Sequence, residues 1–66
     1  MESYSIEGCT IKHETEKAVL VESENLPDDE MWVPKSQIHD DSEIWKLNDT
    51  GDLLVNMWFA EKEGLI

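Results

Sequence analysis

The fold is decided by one stretch in the middle of the chain, Glu30-Met31-Trp32-Val33-Pro34-Lys35-Ser36-Gln37-Ile38. Acidic runs flank it on both sides, Asp28-Asp29-Glu30 before it and Asp40-Asp41-Ser42-Glu43 after it. Aromatic and β-branched residues are typical of a strand, and a proline ends strand pairing because it has no N–H to donate. We therefore expect the central strand of a small sheet, with Trp32 packed in the core, Pro34 ending the strand and Ser36 capping a short turn.

Two strands are predicted before this stretch. Residues 3–13 contain β-branched residues, but Ile6, Cys9 and Ile11 do not share one parity. A bulge at Gly8 would restore the alternation. A polar turn at residues 14–16 then leads into an apolar run at 17–23, which predicts a second strand of a hairpin, covered on both faces or nearly so.

A second hairpin is predicted after it. Residues 43–47 alternate with a period of two, and residues 52–56 are again apolar and β-rich. Between them, the segment 48–51 ends in Gly51, the residue type that accepts the positive φ of a tight turn.

The last residues change period and predict a short helix at 57–63. Asn56 is placed to cap its start, and Gly64 stands where a C-terminal glycine belongs. So short a helix is unstable alone in water, so we expect Trp58 and Phe59 to dock it on the sheet. The predicted fold is mostly β (α+β), a single domain over residues 1–66. It has about five short antiparallel strands in a twisted sheet or small barrel, and one short C-terminal helix.

Charge is the outlying property of the composition. Sixteen acidic residues against five lysines and no arginine give a net charge of −11. Solubility of a small domain needs a magnitude of only about 2–8, and the excess costs stability through self-repulsion. Direct binding to nucleic acid or to an anionic membrane is disfavoured, because both need cations that face the ligand. The acidity is thus either only solubilising or directed at a partner with a positive surface.

The acids can also be compared with a row of phosphates. Alternate residues on one face of a strand are about 6.6 Å apart, close to two charge steps of about 3.4 Å along one DNA strand. Four carboxylate pairs have this i, i+2 spacing: Glu14/Glu16, Glu22/Glu24, Asp28/Glu30 and Asp41/Glu43. The alternative is that they belong to ordinary solvated loops.

No motif predicts chemistry. The oxygen-rich segments 40–43 and 48–52 lack the spacing of a calcium loop. Cys9, His13 and His39 form no zinc pattern, and no base-orienting residues accompany them. We expect no enzyme, no metal and no cofactor. One cysteine excludes an internal disulfide, and the absence of a signal-like or membrane-spanning apolar run leads us to expect a cytoplasmic protein.

Trp32, Trp45 and Trp58 are most simply core or sheet-face residues. We expect Trp45 to be the most exposed of them, since it follows an acidic loop. An exposed tryptophan among carboxylates suits an arginine-rich partner through cation–π contact.

Several motifs together resemble small proteins encoded by phages and mobile elements. They are Lys17-Ala18-Val19-Leu20-Val21-Glu22, Met31-Trp32-Val33-Pro34-Lys35-Ser36-Gln37-Ile38, Gly51-Asp52-Leu53-Leu54-Val55 and Trp58-Phe59-Ala60-Glu61-Lys62-Glu63-Gly64-Leu65. By size and acidity the chain also resembles anti-CRISPR and other DNA-mimic inhibitors. That resemblance implies a non-catalytic inhibitor that occupies a basic, nucleic-acid-binding surface of a host protein, with a CRISPR effector as the specific expectation.

The candidate partner-binding residues are Asp28, Asp29, Glu30, Asp40, Asp41, Glu43, Asp49, Asp52 and Trp45. The protein is expected to be a monomer or a weak homodimer. The alternative function is an accessory structural or protein-interaction module of a phage or mobile element, binding through an apolar face near Trp45 or Trp58.

Overall fold

The computed structural model describes residues 2–66 and contains one antiparallel sheet. The elements are β1 (Ser3–Glu14), β2 (Ala18–Glu22), β3 (Glu30–Pro34), a 3-10 turn (Lys35–Gln37), β4 (Thr50–Asn56) and α1 (Met57–Lys62). The strand order is β3-β2-β1-β4. The mostly β, antiparallel fold with one short helix is confirmed, whereas the expected five strands are four in the described part of the chain.

The bulge predicted at Gly8 is confirmed. The pairing of β1 with β4 shifts register between Ile6 and Cys9, and Gly8 has a φ of +64°. Glycine reaches this left-handed conformation without the steric cost that a Cβ imposes. Ile6 and Cys9 are therefore both buried, although they differ in parity.

The two halves of β1 pair with different strands. Its segment 3–10 pairs with β4, while its segment 10–14 pairs with β2, so that Thr10 faces a partner on each side. The chain that follows the 3-10 turn closes back on the free edge of β4 through a bridge between Ile38 and Val55. The core lies on the inner face of this curled sheet. Its buried members are Ile6, Cys9, Ile11, Val19, Val21, Leu26, Val33, Ile38, Ile44, Leu53, Val55, Phe59 and Ala60.

The prediction that β3 is the central strand is wrong, because β3 lies at the edge of the sheet with β2 as its neighbour. Trp32 is not in the core either. Val33 is completely buried, and since neighbouring strand residues point to opposite faces, Trp32 points outwards and is 50% exposed. Ser36 lies inside the 3-10 turn, which begins after Pro34 without a side-chain cap.

The predicted strand at 43–47 is also wrong, and with it the second hairpin. Polar side chains hold this segment in loop form, because they satisfy main-chain groups locally. The Ser42 hydroxyl donates to the Ile44 carbonyl at 3.0 Å, and the Asp49 carboxylate accepts from the N–H groups of Trp45 and Lys46, both at 2.9 Å. Ile44 alone enters the core from this segment, and β4 pairs with β1 instead.

The helix is found where it was predicted, but a different face is buried. Phe59 and Ala60 dock it, whereas Trp58 is 61% exposed, so the expectation that Trp58 packs on the sheet is wrong. Asn56 occupies the N-cap position without a side-chain cap bond. Gly64 follows the helix with a φ of +75°, as its predicted role requires. No helix within residues 2–66 has the length and apolar character needed to cross a membrane.

Because of the position of the core, we expect alanine substitutions at two leucines to lower the free energy of unfolding by very different amounts. Leu53 is completely buried, and Leu53→Ala should lower the free energy of unfolding by about 2–5 kcal/mol through lost burial and a cavity. Leu47 is 47% exposed, and Leu47→Ala should change it by no more than about 0.5 kcal/mol. Urea denaturation followed by circular dichroism measures both. Equal effects of the two substitutions would contradict this core.

Candidate functional site

Two glutamates face each other across the outer side of the sheet. In the β2–β3 hairpin, Glu22 is directly opposite Glu30, and Thr10 is opposite Glu22 on the other side. Like charges directly opposite each other destabilise a sheet. The Lys12 ammonium lies 3.8 Å from a carboxylate oxygen of Glu22, and both side chains are about half exposed, so this ion pair offsets little of the repulsion.

The loop after β2 adds more carboxylates beside this pair. The Ser23 hydroxyl and the Asn25 amide both donate to the Glu7 carbonyl, at 2.8 and 3.0 Å, which holds the loop against the β1 bulge. The Ser23 N–H donates to the Asp29 carbonyl at 2.8 Å and so joins the first and last residues of the loop. Glu24 therefore lies in a loop that is fixed at both ends.

Together these residues form what we call the acidic surface. Its members are Glu7, Glu22, Glu24, Asp28, Asp29 and Glu30, all exposed. A shallow depression of about 320 Å³ opens within it, lined by Gly8, Thr10, Glu22, Ser23, Glu24 and Asp29. Such a depression can receive the head of a lysine or arginine side chain from a partner.

The acidic surface continues onto β4. Asp52 lies opposite the β1 bulge, because Leu53 pairs with Ile6 and Gly51 with Cys9. Glu43 is held beside Asp52 by two bonds: its carboxylate accepts from the Asp52 N–H at 3.2 Å, and its own N–H donates to the Asp52 carbonyl at 3.3 Å. Carboxylates thus follow one another across all four strands.

Asp40 and Asp41 belong to another part of the surface. They follow Ile38 and line a separate hollow of about 540 Å³ with His39 and Asn56. The His39 N–H donates to the Leu54 carbonyl at 2.7 Å, which places this turn beside the end of β4. The structure therefore groups Asp28, Asp29 and Glu30 at the β3 edge of the sheet and holds Glu43 beside Asp52 at the opposite, β4 edge. Asp40 and Asp41 lie in a separate hollow near the end of β4.

Asp49 and Glu14 have structural contacts. Bonds from the N–H groups of Trp45 and Lys46 lower the pKa of Asp49 from its ordinary value of 3.8. Glu14 accepts a hydrogen bond from Lys35 at 2.7 Å and another from the Leu47 N–H at 3.2 Å, and its pKa is lowered from 4.5, chiefly by Lys35. Asp49 therefore holds the 42–49 loop together, and Glu14 holds this loop to β1.

The thiol of Cys9 is unsuited to nucleophilic chemistry. Its side chain is completely buried, and burial raises the pKa of the thiol, which donates a hydrogen bond to the Ile6 carbonyl at 3.1 Å. His13 is exposed on the same strand. Across residues 2–66, no group of three or more His, Cys, Asp or Glu side chains is arranged to hold a metal ion.

All three tryptophans reach solvent. The expectation that Trp45 is the most exposed of them is wrong: at 38% it is the least exposed, because its indole N–H donates to the Ser42 carbonyl at 2.8 Å. The Lys62 ammonium lies 5.2 Å from the centre of the Trp58 ring, within cation–π distance. Trp32 lies on the outer face of β3, with Leu20 directly opposite it on β2.

Part of the acidic surface lies outside the residues predicted from the sequence. Glu22 and Glu24 carried the correct i, i+2 signal but were not among the candidate residues. Their importance depends on the hairpin register that sets Glu22 against Glu30, and on the bonds from Ser23 and Asn25 to the bulge. Glu7 carried no signal, since only the fold brings it to this place.

Comparison of the chain with models of known families, with curated proteins and with solved structures yields no significant match. The function must therefore be argued from the geometry of the chain itself.

The lowered pKa of Asp49 predicts a pH dependence. Because the folded state favours the charged carboxylate, its stabilising contribution is present above the ordinary pKa of 3.8 and is lost as the pH falls through the lower, folded value. Wild type should be more stable than Asp49→Asn near neutral pH, and the difference should shrink as the pH falls below 3.8. Urea denaturation at several pH values measures it.

The Leu47→Ala variant removes no titrating group, so its difference from wild type should stay flat over the same pH range. A wild-type advantage over Asp49→Asn that also stays flat would contradict the role assigned to the Asp49 bonds.

Proposed function

We propose that this chain is a non-catalytic acidic inhibitor, of the DNA-mimic type, that occupies a positively charged, nucleic-acid-binding surface of another protein. The observation that carries the proposal is the acidic surface, in which Glu22 and Glu30 are kept directly opposite each other at a cost to stability. A solubilising charge needs no such juxtaposition, because spaced carboxylates give the same solubility with less repulsion.

The distribution of cations supports this function. Two of the five lysines form ion pairs with carboxylates in the described chain: Lys12 with Glu22, and Lys35 with Glu14. The acidic surface thus keeps most of its charge free for a partner. A field of this strength attracts a basic surface over long range and speeds association, while it repels nucleic acid itself.

The spacing of the carboxylates supports mimicry of a phosphate row. Neighbouring strands lie about 4.7–4.9 Å apart, and alternate residues along a strand about 6.6 Å apart. Charges along one DNA strand follow every 3.4 Å or so of axis. Glu22 on β2 and Glu30 on the neighbouring β3 are therefore separated by a backbone distance that lies between one and two phosphate steps.

The resemblance to anti-CRISPR proteins makes a host defence complex the specific partner that we propose, with a CRISPR effector as the first choice and a phage as the source. Inhibition would work by occupancy: the acidic protein fills the channel that target DNA needs. This mechanism requires no reaction, cofactor or metal from the chain.

A second candidate function rests on the exposed tryptophans. An accessory interaction module of a phage or mobile element would bind through an apolar face, and the half-exposed Trp45 and the more exposed Trp58 supply large aromatic surfaces for it. The cation–π contact of Lys62 already covers part of Trp58, and the net charge of −11 opposes association with any other acidic protein.

Neutralising the facing glutamates should remove inhibition without harming the fold. Glu22→Gln with Glu30→Gln is expected to weaken the block of target-DNA binding by a purified CRISPR effector at least tenfold. Its free energy of unfolding should stay within about 0.5 kcal/mol of wild type or rise, because a like-charge pair is relieved. An electrophoretic mobility-shift competition measures the block, and urea denaturation measures stability.

The matched control is Glu61→Gln with Glu63→Gln, which removes the same charge from exposed positions at the end of α1. It should inhibit within about threefold of wild type, as expected for exposed positions outside an interface core. An equal loss of inhibition in both double variants would show that net charge alone, and not the acidic surface, is responsible for inhibition. Inhibition that survives the Glu22/Glu30 change and is lost in Trp58→Ala would establish the apolar module instead.

A further inference from the structure

Two main-chain bonds show which residues of β3 turn their N–H and C=O groups towards the free edge of the sheet. The Lys35 N–H donates to the Lys17 carbonyl, and the Ser23 N–H donates to the Asp29 carbonyl, both at 2.8 Å. These bonds lie at the two ends of the β2–β3 ladder. In an antiparallel ladder, bonded and non-bonded pairs alternate, so every second pair between these ends is bonded.

It follows that the pairs of Val33 with Val19 and of Met31 with Val21 exchange the ladder bonds. The intervening residues, Glu30 and Trp32, form non-bonded pairs with β2. Their N–H and C=O groups therefore point away from the sheet, towards its free edge.

This edge has no main-chain partner. Within residues 2–66, no backbone bond outside the sheet involves Glu30 or Trp32. Two donors and two acceptors are therefore presented in a row, which is the arrangement that an added strand requires. Pro34 ends the row, because it has no N–H.

The side chains of the same two residues lie on the exposed, outer face. Trp32 is half exposed beside Leu20, and Glu30 is exposed beside Glu22. A strand added to β3 would place its own residues directly opposite Trp32 and Glu30. The residue opposite Trp32 would lie beside an aromatic ring. The residue two positions along, opposite Glu30, would lie beside the carboxylates of Glu30 and Glu22.

Charge decides between the possible occupants. A second copy of this chain would bring another net charge of −11 and would lose a bond at each Pro34. Charged residues and proline on an edge strand are devices that prevent such self-pairing. A basic strand is attracted and not repelled, because every carboxylate near the edge carries the opposite charge.

We propose that the free edge of β3 binds an extended, basic segment of the partner protein as an additional strand. This segment carries lysine or arginine at alternate positions, so that one cation contacts Glu30 and Glu22 while another lies over Trp32. The inference rests on the proposed function, because it names the part of the basic partner that the acidic surface receives. Backbone bonds provide the register, and the alternate cations provide the specificity.

The test uses a heptapeptide of alternating lysine and valine and the same peptide with its lysine backbone nitrogens methylated. The second peptide keeps every charge and side chain and loses the donors that pair with β3. Amide hydrogen exchange of the full chain, followed by NMR, reports on Glu30 and Trp32, and a titration gives the affinity. The expected result is binding of the first peptide at least tenfold tighter, with slowed exchange at both amides.

Two variants sharpen this test. Trp32→Ala should weaken binding of the unmethylated peptide at least threefold. Trp58→Ala removes a tryptophan that is more exposed but lies on α1, and it should leave the affinity unchanged.

Equal, salt-sensitive affinity for both peptides, with unchanged exchange at Glu30 and Trp32, would overturn the β3 inference and leave the proposed function standing. If neither peptide binds and the protein also fails to block DNA binding by a CRISPR effector, both the inference and the proposed function are overturned. Suppose instead that the amides of Glu30 and Trp32 exchange slowly without peptide, and that their exchange becomes slower as the protein concentration rises. This would assign the edge to a second copy and also overturn the inference.

Discussion

The structure depends on the way β1 is shared between two neighbours. Its bulge at Gly8 turns the strand, so that one half pairs with β4 and the other half with β2. A strand with this bend curls the sheet around its inner face, and bulges are known to increase local twist in this way. The core of this short chain fits inside the curl, where Ile6 and Leu53 are directly opposite each other and both are buried.

The same curl creates the outer surface. With the inner face filled by apolar residues, every charged residue of the strands is left on the outside, and the hairpin register sets Glu22 against Glu30. The bulge also exposes a carbonyl, that of Glu7, which accepts bonds from Ser23 and Asn25 and so holds the acidic loop in place. One backbone irregularity therefore organises both the core and the surface to which we assign function.

Local pattern predicted much of the fold, and long-range pairing decided the rest. The bulge at Gly8, the first hairpin and the terminal helix were predictable, because parity, turn residues and capping are local. The edge position of β3 was not, because it depends on β4 pairing with β1 from the far end of the chain. The alternation at 43–47 was misleading, since only Ile44 found a place in the core and Asp49 bonded the main chain of the loop. Of the candidate site, the carboxylates near β3 were predictable from charge, whereas the partnership of Glu22 with Glu30 needed the register.

The central claim is that the acidic surface binds a basic partner by electrostatic complementarity. The most direct test is the salt dependence of the affinity for an inhibited CRISPR effector, measured between low and high ionic strength. Exposed charges are screened over about 8–10 Å near physiological salt, so we expect a steep fall in affinity, arising mainly from slower association. An affinity that stays constant across the titration would contradict electrostatic binding by the acidic surface and would assign binding to an apolar face instead.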